Sequence, residues 1–246
     1  MYHIFNNIQC WNVVKKENFW EALKMANRLP VESFSFPVEQ IKAGYYTDAY
    51  FLRSAEILNG DNYHPRVLMQ IFARDNVVVC GTDEVIALLK TCAFHPENIV
   101  IHSLHDGDEV EEWETVMTIE GDYQDFAHLE TIYLGILARQ SRIATNVRKV
   151  VKAANGKPVL FFPARYDIYQ TQESDGYAAK IGGIKGTAHI AHQLLADTGG
   201  LKGADLGPQA FIHHGAGGIE THTSQLFTQL TSYSEGGVNA VIIKVN

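Results

Sequence analysis

Apolar and polar residues change rhythm twice along the chain. In the first 120 residues, short stretches of helical and strand-like spacing alternate irregularly. ENFWEALKMANR (17–28) and TDAYFLRSAEIL (47–58) carry apolar residues at helical intervals, and Thr47 or Asp48 is placed to cap the second. A loop with Pro30 and Pro37 separates them. VLMQIFA (67–73) and NVVVCG (76–81) predict strands, and TDEVIALLKTC (82–92) predicts a capped helix with a Val/Ile/Leu stripe. NIVIHSL (98–104) predicts another strand, and the acidic DGDEVEEWE (106–114) a solvated turn leading into TVMTIEG.

From about Asp122 the spacing becomes helical through Ala153 and then alternates between strand and helix. PVLFF (158–162), QAFIHH (209–214) and NAVIIKV (239–245) predict strands, with helices near 175–181, 187–197 and 219–231. Such alternation implies parallel strands, as in an α/β barrel or a doubly wound sheet. The fold class expected is α/β: an N-terminal α+β domain over 1–120, then a partial α/β barrel over 121–246. Three parallel strands do not close a barrel, so the expectation is a barrel left incomplete in this chain or completed by another.

Composition narrows the function. The 246 residues are 46% apolar and 20% charged, enough for one large or two small domains. No apolar run approaches the roughly 18–20 residues that span a bilayer, and the stretch MYHIFNNIQC has no basic region followed by a signal-like apolar run, so a cytoplasmic protein is expected. A net charge of -8 without a Lys/Arg run offers nucleic-acid phosphates little, and small molecules are the expected partners. Cys10, Cys80 and Cys92 form no CxxC pair and read as core thiols. His102, His105, Asp106 and Asp108, or His213, His214 and His222, form loose metal-like groups, but neither has a defined zinc spacing. No Walker or Rossmann signature is present, and pattern alone ends at an α/β protein.

Three stretches go further: KAGYYTDAYF (42–51), ETVMTIEGDYQDFAHLETIYLGILAR (114–139) and GKPVLFFPARYDIYQTQESDGYAAKIGG (156–183). With the sequence between them they resemble the nicotinate phosphoribosyltransferase family over roughly residues 38–186. The resemblance implies that nicotinate attacks C1 of phosphoribosyl pyrophosphate, forming nicotinate mononucleotide and pyrophosphate in NAD biosynthesis. ATP hydrolysis would be coupled, with Mg²⁺ on the pyrophosphate, and a homodimer would place one subunit's N-terminal domain over the other's barrel.

By this resemblance Tyr50 lies against the nicotinate ring, while Arg165, just after an apolar strand, holds the nicotinate carboxylate as a bidentate donor. Asp167 orients Arg165 or binds substrate, and Gly182 and Gly183 let bare backbone approach the phosphoribosyl group. The family's phosphorylatable histidine lies in a Gly-Thr-x-x-His pattern. Laying GPQAFIHHGAGGIETHTSQLF (207–227) on that pattern puts Pro208 at the threonine and Phe211 at the histidine. His213, two residues on and on the same face of a strand, is the candidate substitute, with His214 facing the other way. His189 and His192 also depart from the family's small residues.

Two alternatives accompany this reading. A chain that has lost turnover would be a nicotinate- or nucleotide-binding module or pseudo-enzyme. A quinolinate phosphoribosyltransferase would share the two-domain plan, release CO₂ and need no ATP.

Overall fold

In the computed structural model, residues 28–157, 159–161, 167–184, 186–187 and 241–243 are described. Two compact units divide the chain, Met1–Arg142 and Ile143–Asn246. The predicted helix over 17–28 lies outside the described residues except for Arg28. That residue anchors the entering chain: its guanidinium donates to Asp83 at 2.6 Å and to the Ser103 and Leu104 carbonyls at 3.0 Å.

The first unit runs through α1 (Val38–Lys42), α2 (Ala49–Gly60), β1 (Arg66–Phe72), β2 (Val77–Val78) and α3 (Thr82–Cys92). It continues with β3 (Val100–Ser103), β4 (Glu109–Val110), β5 (Thr115–Asp122), α4 (Tyr123–Phe126) and the start of α5 (Glu130–Ala153). The strands form an antiparallel sheet in the order β1-β5-β3 and a two-stranded β2-β4 ribbon. Both sheet strands flank β5 in register, with Met69 and Ile101 each opposite Ile119.

Alternation explains which face is buried. Along β1, Val67, Met69 and Ile71 pack on the core while Arg66, Leu68, Gln70 and Phe72 are exposed. Helix α3 meets that face with Val85, Leu88, Leu89 and Cys92, the i, i+3, i+4, i+7 stripe read from the sequence. Leu129, Tyr133 and Leu137, at the start of α5 and just before it, complete the core. Burial, reinforced by Glu130, holds the Tyr133 phenol far above its ordinary pKa.

Three local expectations are corrected. NVVVCG pairs as a strand only over Val77–Val78, because the Cys80 N–H leaves the ladder for the Ser141 hydroxyl at 3.0 Å and Gly81, at φ 99°, turns the chain into α3. Gly81, not Thr82, stands at the N-cap of α3. The Asp106 carboxylate accepts both the Thr82 N–H and its hydroxyl at 2.8 Å, bringing an anion to the helix's positive end. The acidic stretch is therefore not a solvated turn. Asp106 is committed to α3, Asp108 accepts the His105 N–H at 2.8 Å, and Val110 is buried in β4. Cys80 and Cys92 are free and buried, as core thiols should be, and burial raises both pKa values. Cys10 lies outside the described residues.

His128 follows α4 and is 7% exposed, with the Phe94 ring 4.6 Å from its own. Neither ring nitrogen has a hydrogen bond among the described residues. Burial, aided by the Lys42 ammonium, lowers its pKa, while the Cys92 backbone offsets this in part. Unfolded, the ring would take a proton near its ordinary value of about 6.5, so His128 contributes stability above that pH that is lost as pH falls. His95, with Nδ1 2.7 Å from Asp125, shifts the other way: its contribution is full below the ordinary value and lost as pH rises through the raised one. Replacing His128 with phenylalanine should therefore flatten the acid-side loss of stability, read as the urea midpoint between about pH 7 and 5. An unchanged pH slope would show that His128 is not the group responsible.

The second unit contains the end of α5, β6 (Val159–Phe161), α6 (Gln172–Gly182), β7 (Gly186–Thr187) and β8 (Val241–Ile243). β6 is central and pairs in parallel with both neighbours, Phe161 lying opposite Thr187 and Ile243. The predicted parallel arrangement is thus present, and Val159 and Phe161 are each 1% exposed, as parallel strands require. Thr187, expected to begin a helix, belongs instead to β7. Residues 188–197, 209–214 and 219–231 lie outside the described residues.

No helix of the described residues is long and apolar enough to cross a membrane.

Candidate functional site

The TDAY stretch opens α2, and Asp48 occupies its N-cap position in extended conformation. Its carboxylate makes no cap hydrogen bond, contrary to the role expected for it. It accepts instead from the Thr131 hydroxyl at 2.9 Å and from the Tyr50 phenol at 3.5 Å, while the Asp48 N–H donates back to Thr131 Oγ1 at 3.3 Å. Thr47 does not cap either; its hydroxyl is buried with no hydrogen bond among the described residues. One short helix start is thereby tied to the first turn of α5.

Tyr50 is 55% exposed and rests on Phe51, with ring centroids 4.3 Å apart. An aromatic committed to the core would not leave half its surface in water. The Tyr50 pKa is raised by local desolvation and then by the Asp48 and Glu130 carboxylates. Glu130 is itself raised by burial and by Asp48. Sequence reading missed Thr131 and Glu130. Thr131 lies 83 positions from Asp48, and nothing in either local pattern signals the pairing.

In the second unit, Asp167 accepts the Ile168 N–H on Oδ1 at 2.9 Å at the start of the segment leading to α6. Gly182 ends α6 and Gly183 caps it at φ 104°, in the left-handed region. A Cβ on Gly182 would lie 2.6 Å from the Val147 side chain and 2.8 Å from the Ala144 carbonyl oxygen, so bare backbone is needed there for two helices to pack. Arg148, also missed, donates to the Gly182 carbonyl at 3.1 Å and the Ile181 carbonyl at 2.9 Å, satisfying orphan acceptors at the helix end. Arg165 and His213 lie outside the described residues.

Among the described residues no three His, Cys, Asp or Glu side chains converge as a metal site. His102 stands in β3 while His105, Asp106 and Asp108 follow in the loop, and Asp106 and Asp108 spend their carboxylates on backbone and hydroxyl donors. His214 and His222 lie outside the described residues.

An antiparallel α+β unit that runs by a long helix into a parallel strand–helix unit defines the class: a type II phosphoribosyltransferase-like fold. Residues 48–141 match the family described as quinolinate phosphoribosyl transferase, N-terminal domain. Nicotinate-nucleotide pyrophosphorylase from Pyrococcus furiosus is similar at 32% identity and TM-score 0.61, over 74% of this chain and 46% of that one. The Francisella tularensis nicotinate-nucleotide pyrophosphorylase shares the fold at 17% identity and TM-score 0.52, over 67% of this chain and 57% of its own. Human nicotinic acid phosphoribosyltransferase shares it at 14% identity and TM-score 0.57, over 69% and 40%.

Residues 48–141 are thus similar to a quinolinate phosphoribosyl transferase N-terminal domain, and the chain shares its fold with nicotinate-nucleotide pyrophosphorylases and with a nicotinic acid phosphoribosyltransferase alike. The chain spans about half the length of these neighbours.

Proposed function

We propose that the protein transfers a phosphoribosyl group to a pyridine carboxylate, and that the acceptor is nicotinate. The observation that carries the transfer is the 32% identity over 74% of this chain with a nicotinate-nucleotide pyrophosphorylase. The exposed Tyr50 ring beside the Asp48–Thr131 pair supports a planar acceptor. In this reading the pyridine nitrogen forms a bond to C1 of phosphoribosyl pyrophosphate as the C1–oxygen bond breaks, and pyrophosphate leaves with the electron pair.

Tyr50 lies against the ring, Arg165 holds the carboxylate, Asp167 orients Arg165 or binds substrate, and the Gly182/Gly183 backbone approaches the phosphoribosyl group. Cationic and N–H donors suit the phosphates, and Mg²⁺ arrives on the pyrophosphate oxygens as part of the substrate. ATP is the co-substrate, with His213 as the residue phosphorylated to couple its hydrolysis, and the active assembly is a homodimer.

Quinolinate is the second reading, favoured by the domain family matched over residues 48–141. Release of CO₂ from quinolinate without ATP would establish it. Replacing Arg165 with alanine should raise KM for nicotinate by at least ~10-fold, with a much smaller change for phosphoribosyl pyrophosphate. Equal effects on the two substrates would remove Arg165 from the carboxylate.

A further inference from the structure

The N-terminal unit contains a cleft of about 710 Å³, within the roughly 300–1,000 Å³ usual for small-molecule sites. Tyr50 does not line it, although Phe51, against which Tyr50 lies, does. The cleft is therefore not the pyridine position proposed above. Its lining joins an apolar part, including Phe51, Leu52 and Phe94, to a polar part whose hydrogen bonds leave a particular set of groups open.

Each carboxylate in the lining has a histidine partner. Asp122 Oδ2 meets His64 Nδ1 at 2.9 Å while its Oδ1 accepts the Gln124 N–H at 3.0 Å, and Asp125 Oδ1 meets His95 Nδ1 at 2.7 Å. A carboxylate at Nδ1 fixes the proton there, so each ring turns Nε2 to other partners, as N–H when the ring is charged. Asp125 raises the pKa of His95, which favours that form. Lys42 has no ion pair among the described residues. The cleft thus sets the Lys42 ammonium and the His95 ring beside aromatic surface.

We propose that this cleft binds a small organic anion, a phosphate or carboxylate carried on a planar apolar body. Lys42 and His95 hold the anion, and Phe51 and Phe94 receive the body. Charge-assisted hydrogen bonds at a partly enclosed site make the anion the stronger determinant, and the aromatic walls select against inorganic ions. Because no catalytic step is involved, the proposal stands or falls apart from the phosphoribosyltransferase reading.

The test is calorimetric titration of the full chain with four probes, together with NMR of the histidine Cε1–H signals. AMP and benzoate carry the two kinds of anion on a planar body, adenosine the body without the anion, and inorganic phosphate the anion without the body. AMP or benzoate should bind with Kd below about 1 mM, and adenosine and inorganic phosphate at least ~10-fold more weakly. The His95 signal should shift on binding. Preference for AMP identifies phosphate as the head group, and preference for benzoate a carboxylate. Lys42→Gln and His95→Gln should each weaken the preferred probe at least ~10-fold in protein with an unchanged circular dichroism spectrum. Should either variant lose its fold, Leu52→Glu, which places a negative charge on the exposed wall, should weaken binding equally. Failure of both anions to bind, equal binding of adenosine, or indifference to these substitutions would overturn the proposal.

Discussion

Replacing Phe126 with alanine should destabilise the N-terminal unit by about 3–5 kcal/mol, among the largest effects of any single truncation there. Phe126 is fully buried, at 0% exposure, where α4 ends. Its ring edge lies against Gly121 of β5, where a Cβ would come within 3.4 Å of Cε1. The same core contains Met117 and Ile119 of that strand, Leu88 and Leu89 of α3, and Tyr133 and Leu137 of α5. Removing the ring opens a void touching sheet and helices together, and a close-packed interior relaxes only partly around such a void. A urea titration of the variant should show a lower midpoint with little change in slope. A midpoint close to that of the parent would mean that this core collapses around the missing ring.

Gly182→Ala should be destabilising by about 1–3 kcal/mol, although alanine is the better helix former by about 1 kcal/mol. The new methyl would meet Val147 at 2.6 Å and, more seriously, the Ala144 carbonyl oxygen at 2.8 Å, a backbone atom that moves only with its helix. Arg148, bonded to the Gly182 and Ile181 carbonyls, would be displaced with it. Gly135, in the interior of α5, supplies the control, since a methyl group added there would meet nothing within 4 Å. Gly135→Ala should stabilise by about 0.5–1 kcal/mol through propensity alone. The opposite signs, read from urea midpoints, separate space from propensity. Stabilisation by both substitutions would show that the close approach of α5 and α6 at Gly182 is not required.

Elements whose signal is local were legible in the sequence. The alternation of VLMQIFA and the stripe of TDEVIALLKTC each report a single buried face, and β1 and α3 follow them closely. The parallel character of β6 and β8 followed from the strand–helix rhythm. What was hidden depended on partners remote in sequence. β4 is two residues within an acidic run and exists because β2 supplies its ladder, while β7 is a Gly-Thr pair held by main-chain bonds to β6. Asp48 looked like a cap because caps are local, but Thr131 offered a competing donor from another helix. At the site, Tyr50 could be named by family likeness, whereas its exposure and its carboxylate neighbours are properties of the folded chain. Gly182 could be named in the same way, but only the folded helices reveal how closely Val147 and Ala144 approach it.

The most direct test of the central proposal is whether purified, folded protein forms nicotinate mononucleotide from nicotinate and phosphoribosyl pyrophosphate with Mg²⁺, with and without ATP. Product formation stimulated by ATP is the expected result. No product from folded protein that binds nicotinate would contradict it, leaving a binding module; product and CO₂ from quinolinate alone would move the activity to the other branch.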